Sequence, residues 1–155
     1  VRLRLFSEFP VVCHLSGGLD SASVLAMAAK NTTKPVHCFT VTFDQEGYDE
    51  LAIASAMAQK AGGTLHQVPV TALDIIEHLS DACYFSEGLA VNGHLSAKHM
   101  LNKAIHNEGF RVSLTGEGSD EVLAGYPHKI CSVWQVIPIN YETYTQPTRC
   151  LKASC

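Results

Sequence analysis

The stretch Leu15-Ser16-Gly17-Gly18-Leu19-Asp20-Ser21 concentrates the chemistry of this chain. It follows an apolar run, Val11 to Leu15, and opens an alanine-rich one, Ser21 to Ala29. That order reads as strand, glycine turn, helix. Such a turn aims backbone N–H groups and a helix N-terminus at one spot, which suits a phosphate. Gly17 and Gly18 let an anion approach the backbone closely. Ser16 and Ser21 add hydroxyl donors. Asp20 would repel a phosphate by itself, and it makes sense as a ligand of Mg²⁺ bridging to phosphates. The stretch has no Gly-Lys-Ser/Thr and is not Gly-x-Gly-x-x-Gly. Its plainer reading is a turn with a serine or aspartate helix cap.

A second stretch tips the balance. Arg111-Val112-Ser113-Leu114-Thr115 reads as a short buried strand. It runs into Gly116-Glu117-Gly118-Ser119-Asp120-Glu121 and then Val122 to Tyr126. Again a strand ends in a glycine turn and a helix starts, now beside three carboxylates. Open parallel α/β sheets bind ligands at the carboxyl ends of their strands, so both loops belong on one edge. One offers N–H groups to phosphate. The other offers carboxylates to a metal or to a developing positive charge.

The loop Ser16 to Ser21 resembles the pyrophosphate-binding loop of the ATP pyrophosphatases, Ser-Gly-Gly-x-Asp-Ser. Leu114 to Tyr126 resembles the asparagine synthetase signature Ser/Thr-Gly-Glu/Asp-Gly-x-Asp-Glu-x-x-x-Gly-Tyr. The first motif is shared by several activating enzymes. The second is more specific, and β-lactam synthetase carries a variant of it. Cys38 to Phe43, followed by Tyr48-Asp49-Glu50, resembles the second strand and next helix of the same domain. The resemblance runs from about Val1 to about His128.

It implies an ATP-dependent amidoligase that adenylates the side-chain carboxylate of aspartate, releases pyrophosphate and lets ammonia form asparagine and AMP. Carried over residue by residue, Ser16, Gly17, Gly18, Asp20 and Ser21 hold the pyrophosphate and its Mg²⁺. Leu15, Val41, Thr115 and Gly116 contact the adenosine, largely through backbone groups. Glu117 orients or deprotonates ammonia, and Asp120 helps to hold metal or phosphate. Ser96 is the best match to a contact with the acceptor acid. Asn92-Gly93-His94 departs from the family pattern there, which leaves the acceptor open. The alternatives are a β-lactam synthetase-like or other acyl-adenylating relative, and a nucleotide-binding module without turnover. A tRNA-modifying ligase with the same first loop fits neither the second motif nor the acidic charge.

The full enzymes of this kind begin with a glutamine-hydrolysing domain that uses an N-terminal cysteine. Here Val1-Arg2-Leu3-Arg4 reads as the tail of a helix, and Cys13 lies on a strand. The expectation is therefore that ammonia comes from a glutaminase domain absent here. Residues 1–128 read as the N-terminal part of a synthetase domain. Residues 129–155 lack the resemblance and read as a tail, the mark of a truncated or alternatively ended product.

These loops need a scaffold of alternating strands and helices. Strands are predicted at about 10–15, 36–43, 64–70 and 110–115. Helices are predicted at about 20–30, 48–62, 72–85 and 95–108. Leu51, Ala54, Ala58 and Ala61 form one apolar face, and Ala97, Leu101, Ala104 and Ile105 another. Gly62-Gly63 and Gly109 stop their helices as C-caps. Right-handed crossovers then give a Rossmann-like α/β fold, a parallel sheet with helices on both faces, of the adenine nucleotide alpha hydrolase-like, ATP pyrophosphatase type. Met27, Met57 and Met100 read as core. His94, His99 and His106 read as ordinary histidines, since their spacing is poor for a metal. Asp44-Gln45-Glu46 reads as a solvated loop.

The composition agrees. The chain has 155 residues, enough for one domain with a core. Hydrophobic residues make 46% and charged ones 17%, which argues against disorder through Tyr126. A net charge of −4 without a basic stripe argues against a nucleic-acid partner. No run is long enough to span a bilayer, and no signal peptide opens the chain. The six cysteines include no C-x-x-C, and Cys13, Cys38 and Cys83 sit in strand-like or helix-like runs. That pattern predicts reduced thiols and a cytoplasmic location.

Overall fold

The computed structural model describes residues 1–44, 50–87 and 92–123. Two compact units divide the chain, Val1–Glu117 and Gly118–Cys155. The first unit holds a 3₁₀ turn (Arg2–Leu5), β1 (Val11–His14), α1 (Leu19–Lys30), β2 (His37–Phe43), α2 (Leu51–Lys60) and β3 (Thr64–Val70). It continues with α3 (Ala72–Glu77), α4 (Leu79–Phe85), α5 (Gly93–Asn107) and β4 (Val112–Leu114). The described part of the second unit contains α6 (Ser119–Leu123).

The strands form one parallel sheet in the order β3-β2-β1-β4. Register pairs Cys13 with both Cys38 and Leu114. Alternation along the strands sorts their side chains to two faces. Cys13, Leu15 and Cys38 pack with Leu25 and Ala28 of α1 and Ala54 and Ala58 of α2. Val12 and Phe39 face the other way, against Leu101 and Ile105 of α5, with Val41 and Phe110 beside them. The sheet is thus covered on both faces, as parallel sheets require.

Helix ends carry their own chemistry. α2 and α5 both stop in a paired-bond C-cap. The Gly62 and Gly63 N–H groups donate to Gln59 and Ala58, and those of Gly109 and Phe110 donate to His106 and Ile105. Gly62 and Gly109 sit at φ +66° and +88°, where a side chain would be strained. α5 begins earlier than expected because the Asn92 side chain accepts the Leu95 N–H at 2.9 Å.

Four expectations are corrected. The helix at 72–85 is two helices that meet at His78, whose ring nitrogen Nδ1 lies 3.0 Å from the Asp74 carbonyl. β4 is half-buried rather than buried, since it lies at the edge of the described sheet. Met27 points away from the core and is 47% exposed. The helix tail expected before β1 is a short 3₁₀ turn, Arg2–Leu5. The segment 45–49, with Gln45 and Glu46, lies outside the described residues, as do Tyr126 and the tail 129–155. No helix among the described residues is long and apolar enough to cross a membrane.

Candidate active site

The chain leaves β1 on one side toward β2 and returns to it on the other side as β4. The gap between the ends of β1 and β4 is therefore the point where the strand order reverses, the usual ligand crevice of such sheets. Both glycine loops begin there. Their contact is backbone on backbone. A Cβ built on Gly116 would lie 2.9 Å from the Ser21 nitrogen and 3.0 Å from Asp20. Only glycine lets the second loop come this close to the first turn of α1.

The first loop is tied internally by Ser21, which is buried. The Ser21 Oγ accepts the Ser16 N–H at 3.2 Å and lies 3.0 Å from the Ser16 Oγ. It also lies 3.0 and 3.1 Å from the Ser16 and Gly18 carbonyls, to which it donates. The Gly18 N–H reaches the Ser16 Oγ at 3.2 Å. The Gly17 N–H is turned outward and donates to Glu50 Oε2 at 2.7 Å. A carboxylate oxygen thus takes up this loop N–H. Asp20 is half-buried in the first turn of α1. N–H groups, hydroxyls and one carboxylate are a donor set that fits a nucleotide phosphate with Mg²⁺.

The remaining sequence candidates fall around these loops or apart from them. Leu15 is buried, with its N–H bonded to the Phe39 carbonyl at 2.9 Å, so its side chain belongs to the core. Val41, Thr115 and Gly116 are half-buried. Ser96 is wholly buried on α5, and its Oγ has no hydrogen-bond partner among the described residues. Asp120 lies on α6, in the second unit.

Glu117 has a partner that the spacing did not suggest. The Lys98 Nζ of α5 lies 2.7 Å from Glu117 Oε1. That bond and the ammonium charge hold the Glu117 carboxyl below the ordinary glutamate range. His14, on the α5 face of β1, completes the group. Burial and then the Lys98 charge push its imidazole down, opposed by the Asn102 side chain, which accepts from the ring, and by Glu117. Lys98, Glu50 and His14 were missed because their partners lie on other elements, 19 and 33 residues away for the first two. The one available sign was Glu50, within the Tyr48-Asp49-Glu50 segment that already resembled the family. A cavity of about 410 Å³ lies along α5 and β4, lined by Asn102, Ile105, His106, Phe110, Arg111 and Ser113. It includes none of the motif residues.

The family model for asparagine synthase matches residues 1–146. The chain belongs to the asparagine synthase family. It is 36% identical over 140 residues to a protein named amidase chyE from Penicillium rubens, covering 81% of this chain and 21% of the relative. It is 30% identical over 143 residues to asparagine synthetase [glutamine-hydrolyzing] 3 of Bacillus subtilis, covering 82% and 23%. With an asparagine synthetase [glutamine-hydrolyzing] of Brassica oleracea it shares 29% over 161 residues, covering 97% and 26%. The chain thus spans about a quarter or less of the length of these asparagine synthase relatives.

Proposed function

We propose that this chain carries the nucleotide half of an asparagine synthetase-type amidoligase site. The observation that carries the reading is the meeting of the two glycine loops at the strand-order reversal, with Gly116 against Asp20 and Ser21. A carboxylate oxygen of aspartate attacks the α-phosphorus of ATP, and pyrophosphate leaves. Ammonia then attacks the acyl carbon, and AMP leaves with one oxygen of the former carboxylate.

In this reading the Gly17 N–H exchanges Glu50 for a phosphate oxygen. Ser16, Gly18 and Ser21 keep the loop in shape around the pyrophosphate. Asp20 would hold Mg²⁺, which would lower the charge of the leaving pyrophosphate. Asp120 remains a candidate for metal or phosphate by family likeness alone. Leu15, Val41, Thr115 and Gly116 offer backbone to the adenosine. Ser96 remains the candidate for the acceptor acid. Glu117, held ionised by Lys98, accepts a hydrogen bond from the nitrogen as it attacks and takes its proton afterwards. Such positioned acid–base groups contribute roughly a hundred- to ten-thousandfold. Ammonia from a glutaminase domain and a cytoplasmic setting belong to the same proposal.

An amide hydrolase, which the relative named amidase chyE brings to mind, is less well supported. Burial pushes the Cys13 thiol up to about 11 and the Cys38 thiol up to about 12, so neither supplies a thiolate nucleophile. Aspartate labelled with ¹⁸O in its side-chain carboxylate tests the ligase reading, given with ATP, Mg²⁺ and ammonium. One ¹⁸O in AMP, together with pyrophosphate, supports adenylation. Label retained in the acid with ADP as product contradicts it. ATP binding without pyrophosphate would turn the assignment to a nucleotide-binding module. Consumption of an amino-bearing acid without ammonium would turn it to a ring-closing relative.

A further inference from the structure

The Lys98–Glu117 pair does not explain itself as a stabilising device. Its side chains are 43% and 72% exposed, and exposed pairs contribute little to stability. Yet the geometry is tight, at 2.7 Å, and the base of Lys98 is fixed. Ser96, Ala97, Leu101 and Ile105 seat α5 in the core on either side of it. The pair lies at the ligand edge of the sheet, where the loops add the carboxylates of Asp20 and Glu50. A second carboxylate brought to Glu117 for activation would meet like charge.

We propose that Lys98 is the charge-compensating positioning residue of this site. Its ammonium holds Glu117 by Oε1, leaves Oε2 for the attacking amine, and offsets the charge that would repel the acid being activated. The proposal rests on the ligase reading and deepens it, assigning an anionic carboxylic acid as the substrate that Lys98 admits. A lysine suits the task. It is a compact charge on a flexible stem, able to hold Glu117 with one N–H and turn another toward the acid.

The test is steady-state pyrophosphate release by the full chain with ATP, Mg²⁺, ammonium and varied aspartate. Lys98→Met should raise KM for aspartate roughly tenfold while KM for ATP stays within about twofold. Lys98→Arg should restore most of the aspartate KM. The double variant Lys98→Met/Glu117→Gln should also recover the aspartate KM, because the repelling charge is gone, while kcat stays low. A purely structural lysine would give none of this split. An aspartate KM unchanged in Lys98→Met, or equal losses for ATP and aspartate with a lower Tm, overturns the proposal and leaves the ligase reading intact. A wild-type chain that binds ATP but releases no pyrophosphate sends the same variants to aspartate titration of the ATP-loaded chain by NMR. There the same pattern in Kd supports the proposal, and aspartate binding blind to Lys98 overturns it. A wild-type chain that binds no ATP overturns the ligase reading and this proposal together.

Discussion

Gly116 stands so close to the first turn of α1 that a methyl group on it would lie 2.9 Å from the Ser21 nitrogen. The neighbour is backbone and cannot swing aside. Gly116→Ala should therefore separate the two loops, at a cost of roughly 1–3 kcal/mol. Chemical denaturation should show that loss, and ATP titration should show a larger one. Unchanged ATP affinity would mean that the loops need not touch to bind nucleotide.

Ser21 is a knot in the loop rather than an open hydroxyl. Its Oγ meets Ser16 three times, at the N–H, the carbonyl and the hydroxyl, and also reaches the Gly18 carbonyl. Ser21→Ala leaves the Ser16 N–H without that acceptor, costing about 1 kcal/mol of stability. It should also weaken ATP binding, because the loop loses its shape. Urea unfolding and ATP binding measured together check this, and a variant that binds ATP normally would show that Ser21 shapes nothing the nucleotide uses.

Glu50 and nucleotide compete for one N–H group. The Gly17 N–H donates to Glu50 Oε2, and a phosphate taking that bond must displace a carboxylate and then sit beside it. Glu50→Gln removes the like charge, so ATP should bind about two- to fivefold more tightly, with the gain shrinking in salt. Calorimetric titration at low and high salt reads this out. Weaker binding in Glu50→Gln would mean that the carboxylate assists the nucleotide instead.

The pH response follows from His14. Burial first, then the Lys98 charge, lower its imidazole from the ordinary 6.5. The unfolded chain binds that proton near 6.5, whereas the folded chain resists it until a lower pH. The unfolded state therefore holds more protons across that window, and stability falls as pH drops below about 6.5. The fall in Tm between pH 7 and pH 5 should be smaller in His14→Leu than in the wild type. Equal falls would show that the fold places no penalty on the protonated ring.

Much of this was legible in sequence for a definite reason. The loops at Ser16–Ser21 and Gly116–Glu117 announce themselves because a strand, glycines and a helix start lie in one short run. Strand periodicity likewise placed β2 and β3 to within a residue, and Gly62 and Gly109 marked helix ends by their conformational demands. The break at His78 was hidden because it uses neither glycine nor proline. It is marked by His78, whose ring nitrogen Nδ1 lies 3.0 Å from the Asp74 carbonyl one turn back. Lys98–Glu117 and Glu50–Gly17 were hidden because each joins residues far apart in the chain. Met27 read as core from its type alone, while its position on α1 turns it outward.

The most direct test of the central claim is release of pyrophosphate and AMP by the purified chain given ATP, Mg²⁺, aspartate and ammonium, beside Asp20→Ala. The account predicts release that requires aspartate and disappears in the variant. Release that ignores aspartate, or that survives the loss of the Asp20 carboxylate, would contradict it.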